Sequence, residues 1–111
     1  MKKRQKDICL KYNADFVESD PNLNCGLAKQ TIGSQPIYGI RHPIEKGTTG
    51  WYIWCGEYSA DDNFYESLLT KHIEDYLPEV LPYLSLPPGY AFVIDKDGYE
   101  DVWFDSKYLQ T

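Results

Sequence analysis

With 111 residues, 42% of them hydrophobic and 25% charged, the chain has the length for one core and the balance of a folded protein. Seventeen Phe, Trp and Tyr side chains, 15% of the sequence, exclude a disordered polymer, because they bury too much apolar area to stay solvated. The net charge of −6 argues against a nucleic-acid partner, and no run approaches the roughly 20 apolar residues that a bilayer requires.

Charge is unevenly spread. Residues 1–11 carry five basic groups and one acid, whereas residues 57–111 carry twelve Asp or Glu and three Lys. An acidic body suits a basic partner surface, and it also serves solubility alone. The start Met1-Lys2-Lys3-Arg4 continues into Gln5-Lys6-Asp7 and not into an apolar run, so no signal peptide is read and a cytoplasmic location is expected. Cys9, Cys25 and Cys55 form no CxxC pair and read as reduced, buried thiols.

In chain order, Ile8, Cys9 and Tyr12 recur at helical spacing and predict a helix over residues 4–13, with Phe16 just beyond its end. The turn-rich Ser19–Asn24 stretch breaks it, so residues 1–20 read as helix and linker and 25–105 as the body of one domain, 1–111. Residues 27–32 and 37–41 read as strands of a possible hairpin around Gly33–Pro36. Residues 45–50 read as a polar loop. Trp51–Cys55 is the clearest strand, apolar on both faces and therefore central.

Ser59-Ala60-Asp61-Asp62 reads as a cap opening a helix over about 62–77, with Tyr65, Leu68, Leu69, Ile73, Tyr76 and Leu77 as its buried stripe. Pro78 starts a second short helix near 79–84. Strands over 90–94 and 99–104 flank an Asp95-Lys96-Asp97-Gly98 turn. The fold class is α+β: a mostly antiparallel sheet of about five strands, helices on one face and an N-terminal helix.

Asp95-Lys96-Asp97-Gly98 lacks the third ligand and the closing glutamate of a calcium loop, so it is a hairpin turn and no metal or cofactor is expected. In the last strand, alternation puts Val102 and Phe104 toward the core and Asp101 with Trp103 on the outer face. There Trp103 is either an exposed contact ringed by acids or is covered by a helix or by the N-terminal arm. The acidic candidates for partner contact are Glu57, Asp61, Asp62, Asp95, Asp97, Asp101 and Asp105, with Trp103. Two other readings stand beside this one. Cys55 with His42 or His72 would make a small hydrolase, although nothing in the spacing forces them together. Trp51, Tyr52 and Trp54 would make a small-ligand or structural module, if they are not simply core. No linear catalytic motif is present, so no catalytic residue is assigned.

Four stretches carry a family resemblance. They are Gly50–Ser59, Tyr38–Pro43, Pro78–Gly89 and Gly98–Asp105. These aromatic and glycine landmarks resemble a bacterial domain-of-unknown-function family grouped with the immunity proteins of polymorphic toxin systems (immunity protein type thirty-three). The N-terminal helix lies outside the most similar part. The resemblance implies a non-enzymatic protein that binds a cognate toxin, a nuclease or another basic effector domain, and blocks it.

Overall fold

Trp51-Tyr52-Ile53-Trp54-Cys55 is aromatic, β-branched or sulfur-bearing at every position, and it forms the middle of the longest strand. In the computed structural model, which describes residues 2–110, this strand belongs to a six-stranded sheet. The strands are β1 (Asn24–Leu27), β2 (Ile37–Arg41), β3 (Thr48–Cys55), β4 (Glu66–Leu69), β5 (Tyr90–Ile94) and β6 (Glu100–Phe104). Their spatial order is β4-β1-β3-β2-β5-β6, antiparallel throughout except where β1 runs parallel to β3. The α+β class holds, with one strand more than expected.

Strand register assigns the faces. Trp51, Ile53 and Cys55 share one face with Ile37 and Arg41 of β2 and with Phe92 and Ile94 of β5. That face is covered by helix α1 (Lys2–Lys11) and by 3₁₀ turns at Thr70–Asp75 and Pro78–Tyr83. Cys9, Ile73, Val80, Tyr83, Leu84 and Leu86 come down from this layer to close the main core. Burying each such large side chain contributes about 1.5–3 kcal/mol, so this face is the main source of stability.

Helix α1 stops where Asn13 takes the left-handed conformation at φ 55°. The Ala14 amide then donates to the Cys9 carbonyl and the Asn13 amide to that of Leu10, a paired C-terminal cap. Glu100 pins the helix to the sheet. Lys11 Nζ and Tyr12 Oη donate to its Oε2 at 2.6 and 2.5 Å, and Tyr83 Oη to its Oε1 at 2.5 Å.

Arg41 is 1% exposed and, among the described residues, makes no salt bridge. Its Nε donates to the Thr49 carbonyl at 2.9 Å, and its Nη1 to those of Val17 and Leu86 at 2.6 and 2.8 Å. The Leu84 and Glu18 carbonyls lie at 3.5 and 3.4 Å, and the Trp51 ring centroid at 5.7 Å. Burial draws the guanidinium down to about 10, and the Cys9 thiol beside it acts the other way. It therefore stays charged at neutral pH.

Several expectations are corrected here. Residues 62–77 are not a helix but β4 followed by the 3₁₀ turn Thr70–Asp75. Ser59 Oγ accepts from the Asp61 amide and Asp61 Oδ1 from that of Asn63, so the supposed cap makes local turns that compete with helix. Leu68 then pairs with Cys25, because β1 needs a partner on its outer edge. The 27–32 strand is displaced to 24–27, followed by a 3₁₀ turn at Lys29–Thr31. The hairpin with residues 37–41 does not form, since β1 and β2 flank β3 from opposite sides. The second short helix is the 3₁₀ turn Pro78–Tyr83, and Thr48–Gly50 belong to β3 rather than to a loop. Phe104 faces the same side as Val102 but lies beyond the helical cover and is 52% exposed.

Candidate functional site

Among the described residues no α-helix lies on the other face of the sheet. Tyr52 and Trp54 of β3 point there, with Tyr38 and Ile40 of β2 beside them in register. Two pieces of irregular chain border this face: residues 56–65, which bring Tyr58, Phe64 and Tyr65, and the turn Ser106–Leu109, which brings Tyr108. Trp54 stacks on Tyr38 at 5.0 Å between ring centroids and meets Tyr58 and Tyr65 edge-on at 5.5 and 6.5 Å. Tyr65 in turn packs on Tyr52 and Phe64 at 5.0 and 4.9 Å. Edge-to-face pairs of this kind hold their rings in fixed orientations.

Between these borders lies a cleft of about 660 Å³. Ile40, Tyr52 and Trp54 form its floor, Tyr58 and Tyr65 one wall, and His42 and Tyr108 the other. Glu45 stands exposed at its rim and, among the described lining residues, is the only carboxylate, with no lysine or arginine beside it. Two glycines shape it. A Cβ on Gly26 would stand 2.7 Å from the Tyr52 ring, so glycine lets that ring lie flat against β1. Gly50 has φ +91° and its missing Cβ would sit 2.1 Å from the His42 carbonyl oxygen, which keeps the chain around His42 tight against β3.

His42 Nδ1 donates to the Tyr108 carbonyl at 2.8 Å, which in the neutral ring leaves Nε2 as an acceptor. Burial, helped by neighbouring Tyr58 and Tyr52, pushes the Tyr65 hydroxyl up, so it remains a donor. Trp54 is 7% exposed, and its Nε1–H has no acceptor. Among the described residues it is the only buried side-chain nitrogen left without a partner. Trp51, by contrast, donates to Ser19 Oγ and to the Leu84 carbonyl on the helical side. The expected grouping of Trp51 with Tyr52 and Trp54 is therefore split by strand alternation.

The acidic candidates do not gather in one cluster. Asp101 is exposed in the middle of edge strand β6, on the open face beside Trp103. Trp103 is half-buried and donates from Nε1 to Oη of Tyr108, in the 3₁₀ turn Ser106–Leu109, at 3.2 Å. Tyr108 thereby links Trp103 to the His42 wall. Register places Cys55, Ile37 and Ile94 side by side, so Glu57, Asp95 and Asp97 follow at one end of the sheet. Asp95 Oδ1 is taken up by the Asp97 and Tyr99 amides and shapes the hairpin turn. Asp61 and Asp62 belong to the segment that borders the cleft. Asp105 lies at the opposite end, where it accepts from the Lys107 amide and caps the C-terminal turn.

Cys55 faces the helical side at 1% exposure, while His42 lies on the open side, five residues along β2 from Cys55's neighbour Ile37. That is about 16 Å along the strand, so the two do not meet. His72 sits in the helical layer 3.7 Å from Asp75. Burial raises the Cys55 thiol, a hydrogen bond with Thr31 works against it, and Glu79 adds to the rise. Among the described residues no group of three His, Cys, Asp or Glu side chains is arranged to hold a metal ion, and no helix is long and apolar enough to cross a membrane.

The sheet thus carries a helical layer on one face and, on the other, a smaller aromatic cluster bordered by irregular chain. Residues 4–105 match the family described as the Imm33-like domain, and the chain belongs to that family. The match takes in all but the first two residues of α1, a helix that the landmark motifs leave outside. No curated protein and no solved structure matches the chain.

Proposed function

We propose that this chain is a non-enzymatic immunity protein that binds and neutralises a cognate bacterial toxin through the open face of its sheet. The observation that carries the reading is the aromatic cleft on the face away from the helices, in a member of a family named for immunity. A cleft lined by aromatic side chains is a common interaction site, and rigid Tyr and Trp side chains are the anchors such interfaces use. Tyr58, 61% exposed, and half-buried Tyr52, Tyr65, Trp103 and Tyr108 present that surface.

The acids surround the face. Asp101 lies on it, Glu57, Asp61 and Asp62 border it through residues 56–65, Asp95 and Asp97 stand at one end, and Asp105 at the other. A ring of negative charge steers a basic partner and speeds its encounter, with an effect that falls as salt rises. A nuclease or other basic effector domain suits this field.

The test is co-expression with the toxin domain encoded beside the gene. Growth is expected to be rescued and the two chains to co-purify. Lack of both rescue and complex, with both proteins soluble, would sink the reading. Asp101→Lys with Asp97→Lys is expected to slow association about tenfold at low salt while leaving dissociation nearly unchanged.

A further inference from the structure

We infer that helix α1 is a latch that opens as one unit, together with the chain up to Phe16, while the sheet beneath it stays folded. Three observations carry it.

The first is how little apolar surface holds the helix. Of the ten residues of α1 only Cys9 is buried. Ile8, Tyr12 and Ala14 are half-buried beside the core, and Leu10 points outward at 79% exposure. The rest of the attachment is polar. Gln5 Nε2 donates to the Leu81 carbonyl at 2.9 Å, Ser85 Oγ donates to Gln5 Oε1 at 3.0 Å, and Lys11 and Tyr12 donate to Glu100. Water takes over such bonds when the helix lifts, so an element held this way opens at less than the cost of global unfolding.

The second is the weakness of the helix by itself. Lys2, Lys3 and Arg4 stand at the positive end of its dipole with no acid in the first turn, and Lys2 and Lys6 are like charges one turn apart. Asp7 is its only acid. A helix of ten residues with this charge pattern does not persist in water off its support. Undocking and unwinding are therefore one event, which makes the opening cooperative.

The third is a stop. The Val17 amide donates to the Ser85 carbonyl at 2.8 Å, and the Val17 carbonyl accepts from buried Arg41 at 2.6 Å. Asp15 and Phe16, just before it, are exposed. Opening that begins in α1 runs out at Val17, where Arg41 fastens the chain to β2, and the strands need not move. The motion uncovers the Cys9 thiol, which donates to the Ser85 carbonyl at 3.5 Å, while Cys55 on β3 stays in the core.

The experiment measures initial rates of thiol labelling of the full chain in urea below the unfolding transition, at reagent concentrations to which the rate is proportional. Peptide mass spectrometry locates each label, and each rate is normalised to that of the same cysteine in the unfolded chain. Cys9 is expected to react about tenfold or more faster than Cys55, with a shallower urea dependence because less surface is exposed. Two variants at exposed positions separate the latch from the sheet. Lys6→Gly weakens the helix and should speed Cys9 several-fold. Gly47→Ala puts a side chain at φ +87° in the turn before β3, with open space around it. It strains the closed and the α1-open forms alike, so it should speed Cys55 several-fold and leave Cys9 unchanged. Equal rates at Cys9 and Cys55, or a Cys9 rate that rises with Gly47→Ala, would mean that α1 opens only with the whole chain and would overturn the inference. A fast Cys9 that ignores urea or Lys6→Gly would mean that the reagent enters by side-chain motion alone, and would overturn it equally.

Discussion

Replacing Arg41 with methionine keeps most of the buried volume and removes every donor. Three short hydrogen bonds are lost, to Thr49, Val17 and Leu86. Their partners are main-chain carbonyls, which no compensating substitution can delete. Each buried acceptor left unpaired costs about 1–3 kcal/mol. Against this stands the several kcal/mol spent on desolvating the guanidinium, which the variant recovers. The second lone pair of each carbonyl also keeps part of its bonding. Three such acceptors, less the recovered desolvation, leave an expected net loss of about 3–5 kcal/mol. For a chain of this length that lowers the thermal midpoint by roughly 15–25 °C. Arg41→Lys retains charge but not the fork that reaches three carbonyls at once, and should lie between wild type and methionine. The assay is urea denaturation of the three proteins with a common slope. An Arg41→Met protein within about 1 kcal/mol of wild type, or above it, would show that desolvation outweighs the carbonyl contacts and refute the reasoning.

Burial works to raise the Glu100 carboxyl, but its bonds from Lys11, Tyr12 and Tyr83 outweigh that and hold it below the ordinary range. Its contribution is therefore complete above the unfolded value, about 4.3, and is lost as pH falls through the lower folded value. Glu100→Gln should cost about 1–2 kcal/mol at neutral pH and flatten the acid limb of a stability–pH curve; an unchanged limb would contradict the assignment. The two tryptophans of β3 should behave oppositely. Trp51→Phe loses bonds to Ser19 and Leu84 and should destabilise by about 1–3 kcal/mol, whereas Trp54→Phe removes an unpaired donor and should lie within about 1 kcal/mol of wild type in thermal melts. Cys9, Cys25 and Cys55 are all buried, and burial lifts Cys25 to about 11. All three should resist alkylation at neutral pH until denaturant is added; rapid labelling of folded Cys55 would overturn its placement.

Local pattern made part of this legible. Helix α1, strands β2 and β3, and the β5–β6 hairpin carry their period and turn residues within a single stretch of chain. The β1–β4 edge was not legible, because Leu68 and Leu69 recur at a spacing that helix and strand-plus-turn share, and the partner that decides is Cys25, far away in sequence. Val102 and Phe104 alternate alike, yet only the extent of the helical layer determines that one is buried and the other bare. The acidic candidates follow from composition, and the sheet distributes them around a face instead of concentrating them. The cleft escaped sequence reading for a different reason. His42, Glu45, Tyr58, Tyr65 and Tyr108 come from separate segments, and each alone reads as ordinary core or surface. The available hint was that Tyr52 and Trp54 alternate with Trp51, which required a second apolar side with its own neighbours.

The stretch between α1 and β1 has no regular structure, yet Arg41 grips it through the carbonyls of Val17 and Glu18. A hold on main chain is blind to what the side chains are. Ser19, which serves Trp51, and Asp20, which accepts from the Asn22 amide, add side-chain contacts, but the Arg41 hold itself does not depend on the identity of residues 17 and 18. Beside its rigid sheet the chain thus carries a tethered strip held by its main chain.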